Sequence, residues 1–87
     1  MNIFFAKKFR KNYDRLQART RQQCNEQLRL FESDPFHRSL ENHPLHGEYA
    51  DCRSINVTGD YRALFYHEGE NIVHFINIGT HHELFGT

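Results

Sequence analysis

Several signatures that would assign a small protein at once are missing from this chain. Its two cysteines, Cys24 and Cys52, are too few for a disulfide scaffold, and neither sits in a CxxC spacing, so a stapled module and a cysteine-based zinc site are both excluded. No apolar run approaches the roughly 18 residues of a membrane span. Basic residues from Lys7 onward also interrupt the N-terminal segment before a signal-peptide core could form, so the expected location is the cytoplasm with no membrane partner. A phosphate-cradling Gly loop, a nucleophile elbow, internal repeats and low-complexity tracts are all absent. Net charge is missing too: eleven Lys and Arg balance eleven Asp and Glu, which taken alone disfavours a nucleic-acid partner. With 87 residues, finally, the chain is too short for two domains, and a single domain over residues 1–87 is expected.

What is present can fill one compact core: 38% hydrophobic residues, with eight Phe and four Tyr. The charge, moreover, is balanced only in the sum. Residues 1–29 hold eight cations (Lys7, Lys8, Arg10, Lys11, Arg15, Arg19, Arg21, Arg29) against Asp14 and Glu26, a net of +6, which leaves −6 for residues 30–87. Such a dipolar chain offers a phosphate-binding surface and an acidic surface at once, although a solvated helix face explains the cations equally well.

Periodicity divides the chain into a strand, two helices and then strands. Ile3 to Ala6 is a short apolar segment that reads as an edge strand. From Lys7 the period becomes helical, with Phe9, Tyr13 and Leu16 on one stripe and Cys24, Leu28 and Phe31 on a second. Pro35 disfavours a helical Asp34, so the second helix should end near Ser33, and residues 36–47 read as a loop interrupted by Pro44. Alternation returns over Cys52–Val57, Tyr61–His67 and Ile72–Ile78, separated by Thr58-Gly59-Asp60 and Glu68-Gly69-Glu70 turns. The expected fold class is α+β in two layers: an N-terminal strand and two helices packed on one face of an antiparallel sheet, with the other face free.

Histidines and one aspartate supply the candidate chemistry. His43 and His46 lie in the loop before the sheet, Asp60 closes the first strand turn, and His81 and His82 follow the last strand. In a meander the turn at 58–60 and the segment after 78 share one end of the sheet, so Asp60 and His81 can approach each other. Groups that exchange protons near neutral pH, one beside a carboxylate, suit general acid–base catalysis. His37 and His67 read as ordinary exposed residues and His74 as a half-buried sheet residue. The His43/His46 spacing is broken by Pro44, so no metal is expected. Phe85 reads equally well as packing or as a stacking platform for a base.

The set His43-Pro44-Leu45-x-Gly47, Cys52-Arg53-Ser54-Ile55-Asn56-Val57, Gly59-Asp60-Tyr61-Arg62, Gly79-Thr80-His81 and Glu83-Leu84-Phe85-Gly86 resembles the RelE/ParE superfamily of toxins from bacterial toxin-antitoxin systems. It is most similar to the YafQ-like branch, and the match covers about residues 43–86. The resemblance implies a RelE-like fold and a ribosome-dependent endoribonuclease, an mRNA interferase without cofactor, silenced by a cognate antitoxin protein; ribosome and mRNA are then further partners.

Carried over by position, the resemblance implies catalytic roles for His43, Asp60 and His81. It places Tyr61 as the aromatic beside the aspartate, and Phe85 near the active site. Asn56 stands where the YafQ-like pattern has a further histidine; it can hydrogen-bond RNA but carries no proton. Arg62 lies where RelE-type members place an arginine on the scissile phosphate, and Arg53 is a second candidate for that contact. The alternatives are a ParE-like gyrase inhibitor that acts by binding alone, which the His/Asp set argues against, and a degenerate toxin that only binds its antitoxin, which Asn56 motivates.

Overall fold

The computed structural model describes residues 1–86. Strand β1 (Asn2–Phe5) leads into α1 (Lys7–Asp14) and α2 (Ala18–Ser33). A 3-10 turn at Arg38–Leu40 precedes the short β2 (His43–Pro44), and a second at Gly47–Tyr49 precedes β3 (Arg53–Asn56). The chain closes with β4 (Tyr61–Glu68), β5 (Ile72–Thr80) and α3 (His81–Phe85).

The apolar stripes become the core. Phe9, Leu16, Cys24 and Phe31 are buried, and burial pushes the Cys24 thiol up to about 12, which keeps it a neutral apolar group. Phe31 of α2 stands edge-on to Phe65 of β4 and Phe75 of β5, with ring centroids 4.9 and 5.4 Å apart. Phe9 of α1 reaches the same Phe75 at 5.9 Å. Between the helices, α1 stops at Asp14 rather than running on through Leu16, and the Arg21 side chain donates to the Leu16 carbonyl to hold the turn. Helix α2 ends at Ser33, where Asp34 before Pro35 leaves the helical region at φ −151°.

The five strands are ordered β1-β5-β4-β3-β2. Strands β3 to β5 form the expected antiparallel meander, but β1 joins its edge parallel to β5, so the sheet is mixed rather than wholly antiparallel. Antiparallel neighbours alternate in direction and β1 returns to β5 only after the helical layer, a geometry that side-chain periodicity does not encode. The predicted loop at 36–47 also yields a strand. His43 pairs with Ser54 and Pro44 with Arg53, and Pro44 is tolerated because β2 is the sheet's outer edge.

Register then separates two faces. Ile55, Ala63 and Ile78 pair in a row that is buried beneath the helices. By alternation, the neighbouring rows His43–Ser54 and Asn56–Arg62–Gly79 belong to the opposite face. A bulge pairs Leu64 with Asn77 but Phe65 with Phe75, leaving Ile76 as the extra residue on β5.

Candidate active site

One cleft of about 410 Å³ opens on the face away from α1 and α2, lined by His43, Leu45, His46, Tyr49, Ser54, Arg62, His81 and Phe85. Three separate backbone devices bring those side chains together.

The first is the β2 edge. Because His43 sits opposite Ser54, its ring is delivered over β3. His43 Nδ1 lies 2.7 Å from the Glu41 carbonyl oxygen, and a carbonyl only accepts, so the ring proton belongs on Nδ1. With that tautomer the Nε2 lone pair lies on the Ser54 side of the ring, where Ser54 Oγ is 3.5 Å away. An Arg62 nitrogen 3.4 Å from Nδ1 is too distant to reverse that assignment.

Arg62 is the second. Its Nε donates to Ser54 Oγ at 3.1 Å, and its terminal nitrogen donates to the Glu41 carbonyl at 3.2 Å. Ser54 is itself fully buried, so the guanidinium is anchored from beneath. Partial burial pulls Arg62 below its ordinary value and the charge of Glu41 opposes that pull. The side chain remains a cation. Among the described residues no carboxylate lies in ion-pair contact with Arg62. A partly desolvated cation so placed is suited to an incoming anion.

The third device is α3. Thr80 accepts from the Glu83 amide through Oγ1 at 3.1 Å, while Glu83 Oε1 accepts from the Thr80 amide at 2.8 Å, a complete capping box. Gly79 lets the helix fold close against β5: a Cβ there would lie 3.3 Å from Glu83 Cβ and 3.4 Å from Leu84 Cδ2. Leu84 is buried, and Gly86 ends the helix at φ 74°. His81 is thereby fixed at the first helical position, one turn before Phe85, and their rings lie 4.9 Å apart. Tyr49 closes the far wall, edge-on to Phe85 at 5.8 Å.

Of the residues singled out from the sequence, His43, Arg62, His81 and Phe85 line this cleft, and so does His46. Asn56 pairs with Arg62 in the adjacent row without lining it. Asp60 and His81 do flank the same end of the sheet, since Tyr61 pairs with Thr80, but the exposed Asp60 is not among the lining residues. Tyr61, next to Arg62 in the alternation, turns to the other side and packs on the core. Arg53 likewise alternates with Ser54, and its Nε is bonded to Asn42 at 2.8 Å. Ser54 and Tyr49 were not singled out. The alternation that puts Ser54 on the face of Asn56 is a usable sign for the first; nothing in the sequence marks the second. No group of three or more His, Cys, Asp or Glu among the described residues could hold a metal ion, and no helix is long and apolar enough to cross a membrane.

This architecture is shared with solved proteins. The structure of YafQ from E. coli strain BL21(DE3) superposes with a TM-score of 0.82 at 21% identity, covering 98% of each chain. The E. coli DinJ-YafQ toxin-antitoxin complex matches at 0.80 and 22%, over 98% of this chain and 97% of that one. A YoeB/ParE toxin from Agrobacterium tumefaciens matches at 0.78 and 22%, over 93% and 99%. No curated protein sequence matches. The family model described as the bacterial toxin of type II toxin-antitoxin system, YafQ, matches residues 1–86. That match, over nearly the whole length and on the fold the solved structures share, makes this chain a member of the YafQ family of bacterial type II toxins.

Proposed function

We propose that this toxin is an endoribonuclease that cuts mRNA on the ribosome by acid–base catalysis using side chains alone, and that a cognate antitoxin silences it. The observation that carries the reading is the convergence on one cleft of an imidazole with a directed lone pair, a desolvated guanidinium and a second imidazole on a separate element. Cleavage of RNA by its own 2′-hydroxyl needs those three things. A base removes the hydroxyl proton, a cation stabilises charge on phosphorus, and an acid protonates the departing 5′-oxygen.

His43 is the base, through Nε2. Arg62 holds the phosphate, and Ser54 and the Glu41 carbonyl keep its fork in place. His81 is the general acid, with Phe85 packed beside it at a tilt and available to the adjacent base. Asp60 contributes as a carboxylate at the His81 end of the sheet, Tyr61 as packing behind Arg62, and Asn56 as a hydrogen-bonding group beside it. The E. coli relative is solved with the antitoxin DinJ, which supports an antitoxin partner here.

The test is cleavage of mRNA on programmed ribosomes, read by mapping the new 5′ ends. His81→Ala and His43→Ala should each lower the cleavage rate by roughly 10²- to 10⁴-fold while leaving the circular dichroism spectrum unchanged. Wild-type cleavage by folded His81→Ala, or intact mRNA with the wild-type toxin, overturns the proposal.

A further inference from the structure

Just outside the cleft, the structure holds an assembly that the proposed reaction does not use. Phe36, in the segment between α2 and β2, is 67% exposed, more than any other large hydrophobic side chain among the described residues. The Arg53 guanidinium lies over its ring, 5.4 Å from the centroid. Arg53 is held there, since its Nε donates to Asn42 Oδ1 at 2.8 Å. Asn42 is held in turn, donating through Nδ2 to the Pro35 carbonyl at 2.9 Å. The chain thus runs from Pro35 through Asn42 and Arg53 back to Phe36, Pro35's neighbour, and it holds the guanidinium in place. Among the described residues, Arg53 makes no hydrogen bond other than that through Nε, so its terminal nitrogens remain available.

The position of this pair gives it a direction. Arg53 stands opposite Pro44, at the β2 edge, and its chain neighbour Ser54 lines the cleft. Asn42, which holds the pair together, precedes His43. A strand whose reacting phosphate lies between His43 and Arg62 reaches Phe36 and Arg53 by passing over the β2 edge.

Resting on the nuclease reading above, we infer that Phe36 and Arg53 form a stacking subsite for an unpaired nucleobase of the substrate RNA, next to the scissile phosphate. An unpaired base gains from stacking on an aromatic face or a guanidinium plane, and the terminal nitrogens of Arg53 can meet the phosphate of the stacked nucleotide. Stacking tolerates any base, so the subsite sets affinity and register, not sequence preference. Acidic or apolar protein segments gain less from it, because a cation and an exposed ring presented together match a flat, electron-rich partner carrying a phosphate.

The test uses a short single-stranded RNA that carries 2′-deoxyribose at the cut site, so that it binds but cannot react. The fluorescent base 2-aminopurine is placed in turn at each flanking position. The wild-type toxin should quench it at one position. Phe36→Ala should abolish that quenching and weaken binding about five- to hundredfold, and Phe36→Trp should restore both. Because Phe36 is exposed, the fold survives either change. Equal quenching and affinity in Phe36→Ala overturns the subsite, as does quenching at no position with the wild type. A Phe36→Ala variant that loses antitoxin binding but keeps RNA affinity also overturns it, making the ring a protein anchor. The two proposals fail separately. Quenching that depends on Phe36, together with mRNA left intact by the wild-type toxin on programmed ribosomes, keeps the subsite and sinks the nuclease. Normal cleavage with an unaltered Phe36→Ala variant does the reverse.

Discussion

Ser54 shows how a residue with no chemistry of its own can control a site. Its hydroxyl is fully buried and accepts from Arg62 Nε, and its Oγ stands 3.5 Å from His43 Nε2. One small side chain thus anchors Arg62 and sits beside His43. Ser54→Ala would leave Arg62 with the Glu41 carbonyl as its acceptor, and a hydrogen bond to a charged group contributes about 1.5–3 kcal/mol. In this partly exposed setting the lower end applies, so the single-turnover cleavage rate should fall by roughly tenfold. Arg62→Lys should fall further, since an ammonium cannot reproduce the fork. A Ser54→Ala rate within twofold of wild type would show that Arg62 is positioned by backbone alone.

At the scale of elements, α3 carries His81 but is too short to hold itself together. Its five residues depend on the Thr80–Glu83 box, on Leu84 packing and on the close approach at Gly79. Removing the cap by Thr80→Ala should cost about 1 kcal/mol, or a melting temperature lower by about 4–8 °C. Cleavage at a temperature where the variant is fully folded should fall as well, because His81 then samples positions outside the cleft. A lowered melting temperature with an unchanged rate would mean that Leu84 alone fixes the helix.

The same elements show what was legible beforehand. Phe9, Cys24 and Phe31 fall on helical stripes, and β3 to β5 alternate, so both layers follow from period and burial. His43, Arg62, His81 and Phe85 stand out because their side chains have evident chemistry. Strand β2 was hidden, since two residues ending in proline carry no period. Helix α3 was hidden because its start is marked by a Thr-x-x-Glu pattern with no apolar run behind it. Side-chain alternation also gives no strand direction, so β1 was placed at an edge without its parallel sense. The rim placement of Asp60 depends on the turn before β4, where Thr58 Oγ1 accepts from the amides of Asp60 and Tyr61, a detail below the resolution of a motif.

For the whole molecule, the zero net charge is a sum over two layers that a partner meets one at a time. The protein measures 32 × 28 × 26 Å, whereas charges in physiological salt are screened over about 8 Å. A phosphate approaching the helices therefore meets the +6 segment, in which every cation but Arg21 is exposed, with the acidic layer mostly screened. If half of those cations engage ribosomal RNA, the logarithm of the binding constant should fall with the logarithm of salt at a slope of about −3, or roughly fiftyfold between 50 and 200 mM. Replacing Lys8, Lys11 and Arg15 together by Gln should make that slope shallower by about 2 while sparing the cleft residues, which lie on the other face. Sedimentation with ribosomes at graded salt measures both slopes. A shallow wild-type slope, or an unchanged one in the triple variant, would assign ribosome contact to the cleft face and leave the cationic helices as solvated surface.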